Sequence, residues 1–157
     1  DVSVEAQANR KRLRDAMGEK GHINVTSYNR QVLLTGEVPT AGDRQAVEQV
    51  VARVENVRSV VNELVVAPNS TLSQRSNDSI ITGKIKAGMV DAKDLQANAF
   101  KVVTERGAVY LMGRVTQRES TRATEVARGV SGVAKVVRVF EYITEDELKA
   151  LQPAPRQ

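Results

Sequence analysis

The residues that could carry chemistry in this sequence are few. The 157 residues include one histidine, His22, and no cysteine. A thiolate nucleophile, a disulfide and a Cys-based metal site are thereby excluded. One His beside Gly21, with no carboxylates clustered near it in the sequence, is a poor metal-ligand set and reads as structural. Ser and Thr are common, but no second His exists to complete a Ser–His arrangement. The carboxylates fall mostly in turns and on helix surfaces, which supports no acid–base pair. Glycines end strands rather than opening a phosphate loop. The aromatic residues, Tyr28, Phe100, Tyr110, Phe140 and Tyr142, are too few and too scattered to stack nucleic-acid bases. The reading is of a non-enzymatic chain, with no cofactor, no metal and no nucleic-acid partner expected.

Binding chemistry is better supplied, and it gathers between Asp78 and Val90. At about 100° per residue, Ile81, Ile85 and Met89 share one helical face, a core stripe. Ile80 is displaced from it and joins Gly83, Lys84 and Ala87 in a neighbouring stripe. Such a face suits a lipid headgroup boundary. Ile80 would enter the acyl region, and Lys84 or Lys86 would reach phosphates while their stems lie along apolar surface. Gly88, Met89 and Val90 extend the candidate surface, with Met89 equally suited to a core. The other reading has Ile80 packed against the first half of the chain and both lysines merely solvated.

Charge is distributed in the same sense. The net charge is +4. Residues 76–143 hold eleven Lys/Arg against seven Asp/Glu, whereas residues 1–75 hold ten against nine. The positive excess in the second half favours an anionic surface, though ordinary scatter of solvated charge would also produce it. No apolar run approaches the roughly 18 residues that would span a bilayer. The chain opens at Asp1 without an initiator Met, so any targeting segment would lie upstream.

The elements that must position these residues come from an internal repeat. Val32-Leu33-Leu34-Thr35-Gly36-Glu37-Val38 matches Val109-Tyr110-Leu111-Met112-Gly113-Arg114-Val115 at an offset of 77. Val50, Val54 and Val57 match Val126, Val130 and Val133 at an offset of 76. Each copy first alternates apolar and polar residues, turning at Asn29-Arg30 or Arg106-Gly107, which predicts a hairpin. A helical stripe follows: Val47, Val50, Val51 and Val54, or Ala123, Val126, Ala127 and Val130. Asp43 and Ser120 are candidate caps, and Asn56 and Gly132 suit the positive φ that follows a helix end. A last strand spans about 57–66 or 133–143. Ser76-Asn77-Asp78 reads as the start of a preceding helix in the second copy. Leu13, Ala16 and Met17 are the best core candidates for its counterpart in the first. Thr144-Glu145-Asp146-Glu147-Leu148-Lys149 suggests a short capped helix before a Pro-containing tail. The expected class is α+β. Two tandem units are expected, each αββαβ with helices packed on a three-stranded mixed sheet, over 1–67 and 76–143. A linker at 68–75 and a tail at 144–157 complete the division.

This unit resembles the BON domain. The marks are Val32-Leu33-Leu34-Thr35-Gly36 and Val109-Tyr110-Leu111-Met112-Gly113, with the helix-to-strand links Val54-Glu55-Asn56-Val57 and Val130-Ser131-Gly132-Val133. Ile23-Asn24-Val25-Thr26 and Ser76-Asn77-Asp78 are further points of likeness. The resemblance covers about residues 10–143. It is to the dual BON-domain lipoproteins of the bacterial outer membrane, and it implies a periplasm-facing protein anchored through an upstream acylated Cys. It implies anionic phospholipid as a partner, phosphatidylglycerol or cardiolipin, bound through the first helix of the second domain. Ile80, Gly83, Lys84, Lys86, Ala87 and Val90 would then be the lipid-binding residues. It also implies support of envelope integrity and cell division. An envelope protein partner is the alternative, engaged at a sheet edge or groove.

Overall fold

The computed structural model describes residues 21–151. The first-copy helix expected around Leu13, Ala16 and Met17, and the tail beyond Leu151, lie outside them. The chain divides into two compact units between Leu72 and Ser73.

In the first unit, β1 (His22–Tyr28) and β2 (Gln31–Val38) form the expected hairpin, with Tyr28 opposite Gln31. Asn29 and Arg30 take φ of 48° and 64°, which matches the handedness a two-residue hairpin loop requires. Helix α1 (Ala41–Ala52) follows, then β3 (Ser59–Asn62) and β4 (Val65–Val66), both parallel to β2. Val32, Leu34 and Val38 of β2 meet Val47 and Val51 of α1 in a core completed by Leu64. Its cap is Thr40, whose hydroxyl accepts from the Asp43 N–H at 3.1 Å, rather than Asp43 itself. The last strand, expected whole, is broken after Asn62. The Asn62 side chain accepts from the Leu64 N–H at 3.1 Å, a local turn that competes with the ladder and drops Leu64 into the core.

The second unit is α2 (Leu72–Asp91), β5 (Lys101–Glu105), β6 (Ala108–Val115), α3 (Gln117–Arg128) and β7 (Lys135–Tyr142). This is the expected αββαβ order. β5 pairs antiparallel and β7 parallel to the central β6, giving a mixed three-stranded sheet. Ile81, Ile85 and Met89 of α2 share a core with Val109, Leu111 and Val115 of β6 and with Ala123 and Ala127 of α3. Here the cap is Thr116 rather than Ser120. Thr116 and Glu119 form a reciprocal capping box. Asn56 and Gly132 do take positive φ, 72° and 93°, after the helix ends. A short α4 (Glu145–Leu151) closes the described chain, capped by Thr144 and Glu147.

Helix α2 starts at Leu72, four residues before Ser76-Asn77-Asp78. That triplet is therefore helix interior. Asp78 is turned inward and buried, and its two oxygens accept the N–H groups of Arg106 (2.8 Å) and Gly107 (3.0 Å). These amides belong to the two-residue β5–β6 turn between the paired residues Glu105 and Ala108. A side chain that looks like a helix cap in sequence thus ties α2 to the hairpin.

Candidate functional site

Helix α2 divides cleanly into two faces. Asp78, Ile81, Ile85 and Met89 are buried, the last three with at most 2% of their surface exposed. On the opposite face Ile80 is 54% exposed and Val90 is 71% exposed, although both are apolar. Gly83, Lys84, Lys86 and Ala87 are exposed between them. At about 100° and 1.5 Å per residue, Ile80, Gly83, Ala87 and Val90 make one stripe roughly 15 Å long. Lys84 and Lys86 flank it on opposite sides and make no ion pair among the described residues. All six residues singled out in the sequence share this outward surface.

Two neighbours belong elsewhere. Met89 is core. Gly88 is half-buried where α2 crosses α3, and a methyl group there would lie 2.9 Å from Val126 Cγ1. Its small size serves helix packing. Gly83 is different, because a methyl group there meets nothing within 4 Å. An exposed helical Gly costs roughly 0.5–1 kcal/mol relative to Ala. Gly83→Ala is therefore expected to raise the thermal midpoint of the second unit by roughly 3–7 °C, read by circular dichroism.

Leu72, within the stretch expected to be a linker, is instead the first residue of the helix and is 83% exposed. The only signal that could have found it is a large apolar residue isolated among Ser, Thr, Gln and Arg. Among the described residues, no helix is long and apolar enough to cross a membrane.

The one histidine sits in a polar cluster of the first unit. His22 Nδ1 lies 3.3 Å from Glu37 Oε1 and 3.4 Å from Ser70 Oγ, and the Ser70 N–H donates to Glu37 Oε1 at 2.5 Å. A Ser–His–carboxylate relay needs its two partners on opposite ring nitrogens. Both of these contacts fall on Nδ1, so they tie the strand end to Ser70 rather than forming that relay geometry.

A β-hairpin, helix and parallel strand occurring twice, each copy with a positive-φ glycine near the end of its second strand and a Val-Xaa-Xaa-Val exit from the helix that follows, define a family. The chain belongs to the BON-domain family, whose model matches residues 5–68 and 77–144. Among curated proteins it is 39% identical over 124 residues to outer membrane lipoprotein DolP of Haemophilus influenzae, covering 79% of this chain and 64% of that protein. It is 37% identical over 125 residues to a 21 kDa hemolysin of Actinobacillus pleuropneumoniae, covering 80% and 64%. The osmotically-inducible protein Y of Escherichia coli is 32% identical over 117 residues, covering 73% and 58%. The chain thus spans less than two thirds of the length of these relatives.

Proposed function

We propose that this chain is a non-enzymatic, envelope-associated protein that binds anionic phospholipid through the outward stripe of α2. The observation that carries this reading is Ile80 and Val90 standing exposed between two lysines that make no ion pair among the described residues, on a helix whose other face is buried. The likeness to an outer membrane lipoprotein supports a periplasm-facing place at the outer membrane, with a lipid anchor upstream. Supporting envelope integrity and cell division is the wider role proposed for it.

The energetics fit reversible contact. Burying Ile80 contributes roughly 1.5–3 kcal/mol. Each lysine near an anionic surface adds about 1 kcal/mol. Single apolar contacts of this size do not hold a protein on a bilayer, which is why a second signal such as an acyl chain belongs in the proposal.

Co-sedimentation with vesicles tests it. Binding to phosphatidylglycerol or cardiolipin vesicles is expected, with little to neutral phosphatidylcholine. Ile80→Asp removes the apolar contact and adds a repelled charge, so affinity should fall by at least about 30-fold. Lys84→Glu reverses one attraction and should cost about tenfold or more at low salt. Both side chains are exposed, so melting curves should be unchanged. Equal binding to neutral vesicles, or indifference to both substitutions, would overturn the reading.

A further inference from the structure

The two repeats end their sheets differently. In the first unit the outer edge is closed. The strand is kinked at Asn62, and Arg44 of α1 donates to the backbone carbonyls of Asn62 (2.7 Å) and Leu64 (3.0 Å). In the second unit both devices are missing. At the helix offset of 76, Ser120 stands where Arg44 does, too short to reach the strand edge. Arg138 stands where Asn62 does and makes no such turn. β7 consequently runs unbroken for eight residues and, among the described residues, pairs with β6 alone.

The alternation of its amides follows from one bond. The Ile143 N–H, just past β7, donates to the Val115 carbonyl at 2.9 Å. Alternate residues of a parallel ladder face the same neighbour. Val137, Val139 and Glu141 therefore turn their amides to β6. Val136, Arg138, Phe140 and Tyr142 turn theirs outward.

Beside this edge lies the outer flank of α3. The side chains of Ser120 and Tyr142 are 3.3 Å apart, which sets the helix alignment. From that point Arg128 lies eight helical residues away, about 12 Å. Arg138 lies four strand residues back, about 13 Å. Helix and strand run in opposite directions in a strand–helix–parallel-strand unit, so the two arginines come alongside each other. On the helical wheel Arg128 is nearly opposite Val126, the residue that faces α2. This edge is thus on a different side of α3 from the proposed lipid stripe. Both arginines are exposed, and neither makes an ion pair among the described residues.

We propose that the open edge of β7 accepts an extended acidic segment of a partner protein as a fourth strand, with its carboxylates on Arg128 and Arg138. Strand addition supplies sequence-independent backbone hydrogen bonds, and the side chains flanking the edge choose the partner. The positive pair selects acidic residues at alternate positions.

The test uses the full chain and labelled peptides of about ten residues that alternate Val with Glu or Val with Lys, read by fluorescence anisotropy and amide NMR. The Val/Glu peptide should bind at least about tenfold tighter than the Val/Lys peptide. Its amide shifts should concentrate on residues 136–142 and the outer flank of α3. N-methylation of alternate peptide amides should abolish binding in one register and spare it in the other. The double variant R128E/R138E should reverse the peptide preference, while vesicle binding, weakened by the lost charge, should still depend on Ile80. Equal affinity for the two peptides, shifts confined to other elements, or no response to charge reversal would overturn the proposal. Self-association through β7, seen by sedimentation, would make a second copy the occupant and overturn it as well.

Discussion

Asp78→Ala should lower the stability of the second unit by about 3 kcal/mol, roughly 10–20 °C in thermal midpoint. The carboxylate is buried and accepts two backbone N–H groups across the gap from α2 to the β5–β6 turn. Alanine leaves both amides without that acceptor, and Gly107 is itself buried, so water cannot easily replace it. The cost of stranding a buried donor exceeds the net worth of the bond that satisfied it. Asp78→Asn keeps one carbonyl oxygen for one amide but turns an NH2 toward the other. It should recover about half of the loss. Calorimetry of the two variants against the parent checks both numbers. Vesicle binding supplies a second readout, because Asp78 lies two residues from Ile80 and holds the helix that presents it. In Asp78→Ala, binding at a temperature where the unit stays folded should weaken less than in Ile80→Asp. If Asp78→Ala melts with the parent, the tie between helix and turn contributes nothing and α2 is held by its apolar face alone.

Much of this architecture is legible in the sequence, and the reasons are local. The hairpins declare themselves because Asn29-Arg30 and Arg106-Gly107 stand between alternating runs and take the positive φ that such loops need. The second helices declare themselves through apolar spacing, and Asn56 and Gly132 follow them as left-handed exits. The outward stripe of α2 was readable for a related reason. Once Ile81, Ile85 and Met89 are placed on the core, the 100° period leaves Ile80 and Val90 nowhere to go but outward.

What was not legible depends on partners distant in sequence. Ser76-Asn77-Asp78 has the composition of a helix start, and nothing nearby reveals that the Asp78 carboxylate is needed by a turn 28 residues later. The helix consequently begins at Leu72, earlier than its apolar period suggests. Asn62 splits the first unit's last strand through a side-chain contact to the Leu64 N–H that stands in place of the ladder there. The repeat argues for one continuous strand there, since its counterpart β7 is continuous. The caps were misplaced by three or four residues because Thr40 and Thr116 precede equally polar Asp43 and Ser120. The partners of His22 were hidden too, since Glu37 and Ser70 are 15 and 48 residues away.

The glycines two residues before the ends of β2 and β6 carry the other large expected effect. Gly36 has φ of 118°, and a methyl group there would run into the His22 carbonyl across the hairpin. Gly113 has φ of 156°, and its methyl group would lie 2.5 Å from the Ala99 carbonyl oxygen. In both cases the obstacle is backbone, which cannot swing aside as a flexible side chain would. Gly36→Ala should therefore cost roughly 2–4 kcal/mol, combining conformational strain with displacement of a strand. Gly113→Ala should cost somewhat less, because its φ is closer to extended backbone and its contact is longer. Denaturant unfolding followed by circular dichroism would rank the two. The same substitution at Gly83, where nothing stands in the way, should move stability in the opposite direction, so the three variants test one physical statement. A glycine in this fold is indispensable where backbone passes over it and dispensable to folding where only solvent does. Stabilisation at Gly36 matching that at Gly83 would mean the strand crossing is loose, and that the glycine shared by the two copies is retained for something other than close approach.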